Sequence, residues 1–448
     1  MPDCIVVRFG GNNLKEPQII STLIKLLRNP GKRHILVVSA NGILQDILTK
    51  GIKTLCSASC DPNVVFAGLN DELDKIKARY SLQHPDLVQS FSERLEMLLN
   101  GIHFTGDFSL ALQDQVLSFA EKITAALLCG ILTKNGISST VVLPEEIGLL
   151  VNEEYGNASI LAEESRKQVI NGISKQVSLI PGSYGITRQG KIARVGHRAA
   201  DYTAAALASI LDVKKLELWQ IGKPFKTADE QFVSGTSYIE SLTYAEASEL
   251  SYFNHSGIHP RIVEPLIGKQ IPVYVYELKN EEKILRTKIN TQSIITPRTV
   301  KSVASTDDIA ILKLNGPGVG FKPGILAKVT GAFSNQHINI RSVITAQTSI
   351  NMIIDKASVQ QVRQICSELK LSSVNQIEIA EQVSLIAIVG HGMQSNHGIS
   401  AQLFTAVAKS KINVLLSGSG ASDLVSYLVV DEKDKIKAIQ EIHKTFFN

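Results

Sequence analysis

The sequence predicts an α/β protein built on an open, mostly parallel sheet, followed by a smaller α+β module that is present twice. Strand and helix signals alternate from the first residues to about residue 290, which is typical of a sheet covered by helices on both faces. After about residue 300, short motifs recur at one constant spacing, which indicates an internal duplication. The 448 residues are enough for two or three domains, each with its own core.

Six apolar segments are the predicted strands of the sheet: 5–9, 34–39, 139–143, 177–180, 216–219 and 271–276. Between residues 70 and 100, apolar residues fall at helical spacing and predict a helical insertion. Asp201 precedes an alanine-rich run, so we expect it to be the N-cap of a helix. The preceding Gly196-His197-Arg198 would then lie where a helix N-terminus can meet an anion.

The first strand runs into Arg8 and breaks at Gly10 and Gly11. Phosphate sites are often built in this way, because glycine lets the backbone approach a ligand closely and arginine adds a permanent positive charge. The same residues also fit a first strand that ends in an ordinary turn. On these residues alone, both interpretations stay open.

Composition excludes several classes of function. The net charge is +4 and no dense Lys/Arg stripe is present, which argues against a nucleic-acid partner. Five scattered cysteines indicate a reducing cytoplasm, and the pair Cys56 and Cys60 has no histidine nearby in sequence, so no metal site is expected. Neither a signal peptide nor a run of 18 apolar residues is apparent, so we expect no secretion and no membrane span.

The duplication rests on three motif pairs. Gly316 and Gly390, Gly324 and Gly398, and Asn339 and Asn413 are each 74 residues apart (390 − 316, 398 − 324, 413 − 339). Each copy has the pattern of a strand, a glycine turn, an amphipathic helix and a short strand. We therefore expect a first domain over 1–295 and a repeat over 300–448, with copies at about 300–380 and 381–448. The simplest interpretation is a duplicated structural module without a ligand. The two copies also resemble tandem ACT domains, which usually bind an amino acid between modules.

Motifs along the whole chain resemble those of the aspartokinases, in the same order. They include Arg8-Phe9-Gly10-Gly11, Asp201-Tyr202-Thr203-Ala204-Ala205, Glu217-Leu218-Trp219 and His259-Pro260-Arg261. The repeat looks most like the regulatory half of fused aspartokinase–homoserine dehydrogenases, without a dehydrogenase after it.

The resemblance implies an amino-acid-kinase αβα sandwich with C-terminal tandem ACT domains. It implies transfer of the γ-phosphoryl group of ATP, with Mg²⁺, to the side-chain carboxylate of L-aspartate. That reaction is the first step of lysine, threonine and methionine biosynthesis, with feedback by an amino-acid effector. A cytoplasmic homodimer or homotetramer, joined through the ACT domains, is expected.

The resemblance also assigns roles to individual residues. It implies catalytic roles for Arg8 and Asp201, and substrate binding by Glu121, His197, Arg198 and Leu44. It places the nucleotide at Gly10, Gly11, Gln220, Lys223, Lys226, Thr227 and Ser256. It places the effector at Asn339, Ile340, Asn413, Ser419, Ser422 and Asp423.

Several of these positions depart from the family pattern. Arg8 stands in place of a lysine, His197 in place of the arginine that holds the substrate α-carboxylate, and Leu44 in place of a threonine. Ser256 removes a positive charge that Lys223 and Lys226 could replace, unless these lysines belong to a solvated loop. Three hypotheses follow: an active aspartate kinase, a catalytically impaired homologue with a sensing or regulatory role, and a kinase of a different carboxylate.

Overall fold

The computed structural model of the protein describes residues 4–28, 32–55, 61–83, 85–106, 108–173, 175–197, 199–220, 225–253, 258–291, 299–369, 371, 373–420 and 422–447. The chain divides into two compact units. The larger comprises residues 1–225, 238–252 and 256–294, and the smaller comprises 226–237, 253–255 and 295–448. Two short segments that precede the predicted boundary at residue 295 therefore belong to the smaller unit. The cysteines at 56 and 60 lie outside the described residues.

The strands described in the larger unit are β1 (Cys4–Phe9), β2 (Arg33–Val38), β3 (Ser139–Val141), β4 (Val177–Pro181), β5 (Tyr184–Ile186), β6 (Ile192–Arg194), β7 (Leu216–Gln220), β8 (Ser241–Thr243), β9 (Val273–Lys279) and β10 (Glu282–Asn290). The six predicted strands are all confirmed, within three residues at each end. The sequence prediction missed β5, β6 and β8, which are three residues each, and β10, whose apolar residues alternate with lysine and arginine.

Eight of these strands form one sheet in the order β3-β4-β2-β1-β7-β9-β10-β8. The pairs from β3 to β9 are parallel, and β10 runs antiparallel to β9. Strands β1 and β2 pair from Cys4↔Arg33 to Phe9↔Val38, so their carboxyl ends lie side by side. Strands β5 and β6 form a separate antiparallel hairpin. The predicted mostly parallel sheet is confirmed.

The helices of the larger unit are α1 (Pro17–Leu27), α2 (Gly42–Leu55), α3 (Pro62–Tyr80), α4 (Asp86–Thr105), α5 (Leu110–Lys134), α6 (Ala162–Gly172), α7 (Ala200–Ile210) and α8 (Tyr244–Tyr252). The predicted helical insertion is the pair α3 and α4. Asp61 caps α3 by accepting a hydrogen bond from the Asn63 N–H at 2.9 Å.

Helix α5 forms the centre of the larger core. It packs against β2, β3 and β4 and against α2 and α4. Its length and apolarity would suffice to cross a membrane, but 83% of its most apolar window is buried inside the protein. Helix α7 packs against β1, β2 and β7, and its residues lie outside the core that contains α5. Helices thus cover the sheet in the layers of an α/β sandwich.

The smaller unit contains strands β11 (Ser302–Thr306), β12 (Ile309–Asn315), β13 (Ile340–Ala346), β14 (Ser349–Asp355), β15 (Gln376–Ala380), β16 (Val383–Val389), β17 (Leu416–Gly418) and β18 (Val425–Asp431). Its helices are α9 (Ile325–Asn335), α10 (Val359–Glu368), α11 (Ile399–Lys409) and α12 (Lys435–Phe447). Helices α9 and α11 occupy equivalent places in the two copies. Each follows a glycine with a left-handed backbone, Gly324 (φ +89°) and Gly398 (φ +83°). This conformation, which glycine adopts freely, explains one of the repeated motifs.

The strands of the smaller unit form two antiparallel sheets, β13-β14-β12-β15 and β11-β16-β18-β17. Strand β11 lies at the start of the predicted first copy, yet it pairs with β16 of the second copy from Ser302↔Val389 to Thr306↔Leu385. The predicted division at about residue 380 therefore differs from the structure at this strand. The first sheet uses residues 309–380, and the second takes its outer strand from residues 302–306. A repeat pattern cannot show this exchange, because strand pairing is set by contacts distant in sequence.

Candidate active site

A cavity of about 240 Å³ lies where β1 and β2 end and α2 begins. Open α/β sheets commonly bind ligands at the carboxyl ends of their strands. The wall is formed by residues from β1, α2, α5, β6 and the loops between them: Arg8, Asn12, Ser39, Ala40, Gly42, Gln45, Asp46, Glu121, Ser183, Arg194 and His197. Three of the predicted site residues, Arg8, Glu121 and His197, are therefore brought together.

Arg8 is held by an acidic residue of α7. Its Nε lies 2.7 Å from Oδ1 of Asp201, whose side chain is 1% exposed. Oδ2 of Asp201 accepts a hydrogen bond from the His259 N–H at 2.8 Å. Asp201 is thus inside the first turn of α7, and Ala199 occupies the N-cap position. The expectation that Asp201 caps this helix was wrong, because its carboxylate binds Arg8 and the His259 backbone instead.

Glu121 and Arg194 form a second ion pair in the cavity wall. Arg194 Nη2 lies 3.2 Å from Glu121 Oε1, and both side chains are less than a tenth exposed. Burial raises the pKa of Glu121, and the Arg194 guanidinium opposes this rise. Asp114 fixes the strand that carries Arg194, because its Oδ2 accepts hydrogen bonds from the backbone N–H groups of Arg194 (2.8 Å) and Gly156 (2.7 Å).

Helix α2 contributes a different residue from the one predicted. Leu44 is fully buried in the hydrophobic core, whereas its neighbours Gln45 and Asp46 line the cavity. One residue along an α-helix changes the direction of the side chain by about 100°. The structure therefore corrects the prediction for Leu44. Sequence reasoning also missed Arg194, whose only signal was a charge between the apolar residues of a short strand.

The turn after β1 gives Gly11 a packing role that the sequence did not predict. Gly10 has φ −75° and neither residue adopts a left-handed backbone. A Cβ on Gly11 would lie 2.3 Å from the carbonyl oxygen of Ser39. Its backbone N–H donates to the Ser39 hydroxyl at 3.1 Å. Gly11 therefore permits close packing of the turns after β1 and β2, and this contact accounts for the glycine without a ligand.

Several predicted residues cannot be placed. Arg198, Lys223 and Ser256 lie outside the described residues, as does the side chain of Gln220. Lys226 and Thr227 belong to the smaller unit. There, Lys226 pairs with Glu230, and the buried Thr227 hydroxyl lies 2.9 Å from Nε2 of His443.

The predicted effector residues lie in both copies of the repeat. Asn339, Asn413 and Ser419 are exposed, while Ile340 and Ser422 are partly buried. Asp423 already has partners within its own copy. Its carboxylate accepts hydrogen bonds from the backbone N–H groups of Gly392 (3.2 Å) and Gln394 (2.9 Å). Asp423 thus holds the glycine turn of the second copy closed.

Comparison with known proteins identifies the family. Residues 3–277 match the model of the amino acid kinase family. The chain belongs to the amino acid kinase family. Residues 304–365 and 386–446 each match a model of the ACT domain. The fold class and the duplicated ACT module predicted from the sequence are therefore confirmed for this amino acid kinase.

Relatives of this amino acid kinase cover 99% of its length. A bifunctional aspartokinase/homoserine dehydrogenase of Haemophilus influenzae is 26% identical, and aspartokinase 1 of Arabidopsis thaliana chloroplasts is 24% identical. The chain spans 56% of the first of these and 80% of the second. The structure of E. coli aspartokinase III in complex with aspartate and ADP matches all of both chains, with a TM-score of 0.83 and 21% identity. That likeness establishes a common fold.

Proposed function

We propose that this amino acid kinase is an aspartate kinase, which transfers the γ-phosphoryl group of ATP to the side-chain carboxylate of L-aspartate. The observation that carries the proposal is the cavity at the strand ends, where Arg8 and Arg194 bring two guanidinium groups to a space of about 240 Å³. The relatives named as aspartokinases, and the E. coli structure that contains aspartate and ADP, support the same choice.

The reaction needs charge neutralisation more than proton transfer. A side-chain carboxylate is already ionised near pH 7, so the acceptor requires no general base. One of its oxygens forms a bond to the γ-phosphorus as the bond to the β-phosphate oxygen breaks, and ADP leaves. The chain must hold two anions together and stabilise the charge on the transferring group.

Arg8 is the cation best placed for this role. Its side chain lies at the end of β1 and lines the cavity. Asp201 positions Arg8 through the contact at 2.7 Å and is itself held by the His259 N–H. A cation positioned before the reaction stabilises developing negative charge without a reorganisation cost.

The proposal includes Mg²⁺, which would accompany the nucleotide. Proteins usually bind Mg²⁺ through one or two carboxylates together with substrate phosphates. The described residues contain no group of three possible ligands, and the carboxylate of Asp46, which lines the cavity, fits this limited role. When bound, the ion neutralises part of the phosphate charge.

Regulation and assembly belong to the same proposal. The two ACT domains would bind an amino-acid effector, and the chain would act in the cytoplasm as a homodimer or homotetramer.

The test of the proposed kinase activity is a hydroxamate assay with MgATP and L-aspartate on folded full-length protein. We expect aspartyl hydroxamate to form in proportion to enzyme. Turnover of a different acid in the same assay would favour a kinase of another carboxylate. Amino-acid binding without any turnover would favour a regulatory homologue.

A further inference from the structure

Gln45 and Arg194 are two of the side chains in the cavity wall whose buried polar atoms have no hydrogen-bond partner among the described residues. Gln45 is 8% exposed and Arg194 is 6% exposed. Both amide atoms of Gln45, Nε2 and Oε1, and the Nε of Arg194 lack a partner. Both residues line the cavity. Buried polar groups are unfavourable when they lack a hydrogen-bond partner, so we expect a ligand in the cavity to supply the missing partners.

The chemistry of these atoms defines the occupant. Arg194 Nε and Gln45 Nε2 are donors, which suit a carboxylate. Gln45 Oε1 is an acceptor, and with the carboxylate of Glu121 it suits an ammonium group. Glu121 already balances the charge of Arg194, with 3.2 Å between the two groups. A near-neutral pocket of this kind favours a ligand that carries both charges over a simple dianion.

We propose that Arg194 and Gln45 determine substrate specificity by binding the α-carboxylate and the α-ammonium group of the acceptor amino acid. This inference rests on the proposed function, since it concerns the acceptor side of the same cavity. Arg194 binds the α-carboxylate from β6. Gln45 binds both groups from the first turns of α2. Arg8, which is paired with Asp201, is left for the reacting carboxylate and the phosphoryl group.

Ligands that lack one of the two groups test the assignment. Succinate is aspartate without the ammonium group, and β-alanine is aspartate without the α-carboxylate. Calorimetry on the full-length protein measures the Kd of L-aspartate, succinate and β-alanine, and the hydroxamate assay measures turnover of the same compounds. Wild-type protein is expected to bind aspartate at least about 10-fold more tightly than either truncated ligand, the usual effect of losing hydrogen bonds to charged groups.

Two substitutions remove one partner each. Gln45→Met keeps the size of the side chain without its amide, and it should reduce the preference for aspartate over succinate about 10-fold. Arg194→Lys keeps a positive charge beside Glu121 but loses the Nε donor, and it should reduce the preference for aspartate over β-alanine by a similar factor. Matched controls are Gln89→Met on the exposed face of α4 and Arg188→Lys, whose side chain is 63% exposed and pairs with Glu164.

The outcomes separate this inference from the proposed function. If aspartate is phosphorylated and both variants keep the wild-type preferences, the inference is overturned and the function stands. If aspartate is bound with the predicted preferences but no hydroxamate forms, the function fails and the inference stands. If the wild type does not bind aspartate, both are overturned. Should Arg194→Lys fail to fold, the uncharged variant Gln45→Met decides the matter through the succinate comparison.

Discussion

Arg8 lines the cavity and also forms an ion pair with Asp201. We expect Arg8→Met to lower kcat by about 10²-fold or more, the usual loss when a donor to developing negative charge is removed. Arg8→Lys keeps the charge, and we expect it to retain or raise the wild-type rate. Steady-state kinetics with MgATP and aspartate measure both. A clear fall in the lysine variant would show that the site depends on the planar guanidinium.

Gly11 gives a residue-scale prediction about stability. A methyl group there would lie 2.3 Å from the Ser39 carbonyl oxygen, which is backbone and cannot rotate away. We expect Gly11→Ala to lower the free energy of unfolding by about 1–3 kcal/mol in urea titrations. Gly101→Ala is the control, since nothing lies within 4 Å of a Cβ at that helical position. It should be neutral or raise stability by up to about 1 kcal/mol. Equal effects of the two substitutions would contradict the packing argument.

At the scale of residues, the sequence predicted several charged side chains at the cavity, but it did not predict which residues of α2 and β6 line its wall. Arg8, Asp201 and Glu121 could be found because each lies in or beside a recognisable motif. Gln45 and Arg194 could not, since their importance depends on which side of α2 and β6 faces the cavity. Packing between elements distant in sequence decides which side of a helix or strand faces the cavity. On α2 the prediction was wrong by one residue, because it chose Leu44, which is in the core, and not Gln45, which lines the cavity.

At the scale of elements, the two copies of the repeat close their glycine turns differently. In the second copy, the Asp423 carboxylate accepts the backbone N–H groups of Gly392 and Gln394. The corresponding position of the first copy, 74 residues earlier (423 − 74), is Ser349. There, Gly316 N–H and Gly320 N–H donate to the carbonyl groups of Thr348 and Gln347 instead.

This difference predicts a local effect of Asp423→Ala. Loss of the carboxylate should increase amide exchange at Gln394 about 10-fold or more. Exchange at Gly392 should change less, because its N–H also donates to the backbone carbonyl of Asp423 at 3.1 Å. Hydrogen exchange with mass spectrometry measures the change. Ser349→Ala is the control and should leave exchange in the first copy within about twofold of wild type. Unchanged exchange in the turn of the Asp423 variant would mean that other contacts hold it.

Element prediction succeeded where patterns are local. The apolar strand β1 and the alanine-rich helix α7 were predicted from their local pattern, and the repeat predicted both α9 and α11. The failures were of two kinds. Strands of three residues are too short to show a period of two. Strand β11 pairs with β16, about 80 residues further along the chain, and its own sequence does not show which strand it will pair with. Neither signal is present in a window of a few residues.

At the scale of the whole molecule, the smaller unit is built from segments far apart in sequence. Ala228 and Val233 are buried in the same core as residues of α11 and α12. Thr227 in that segment contacts His443 of α12. The division predicted at residue 295 followed the end of the alternating strand and helix signals and the start of the repeat. These patterns could not show that 226–237 belongs to this core.

His443 makes the stability of the smaller unit dependent on pH. Burial lowers the pKa of His443 below its ordinary value of about 6.5. The unfolded chain therefore binds a proton in a range where the folded protein does not. The stabilisation is complete above about pH 6.5 and decreases as the pH falls towards the lowered value.

Thermal unfolding at pH 7.5 and pH 5.5 tests this dependence. We expect the wild-type Tm to fall more on acidification than that of His443→Gln, which cannot bind the proton. His337→Gln, at an exposed position of the same unit, should keep the wild-type pH dependence. An identical dependence in wild type and His443→Gln would assign the acid sensitivity to other groups.

The pairing of β11 with β16 has a consequence for how this protein could have diversified. The chain leaves the second sheet at the end of β11 and re-enters it in β16, the neighbouring strand, since Thr306 pairs with Leu385. Residues 309–380 lie between these two strands in sequence. The first ACT copy is therefore nested inside the second, like an insert spliced between two neighbouring strands. Exchange of such an insert leaves every strand of the host sheet in place, and a replacement must keep contacts such as that between the Ser342 and Tyr427 hydroxyl groups, which lie 2.7 Å apart. A swap of this segment between relatives would therefore be cut at residues 309 and 380, whereas a cut at residue 300 would carry away a strand of the host sheet.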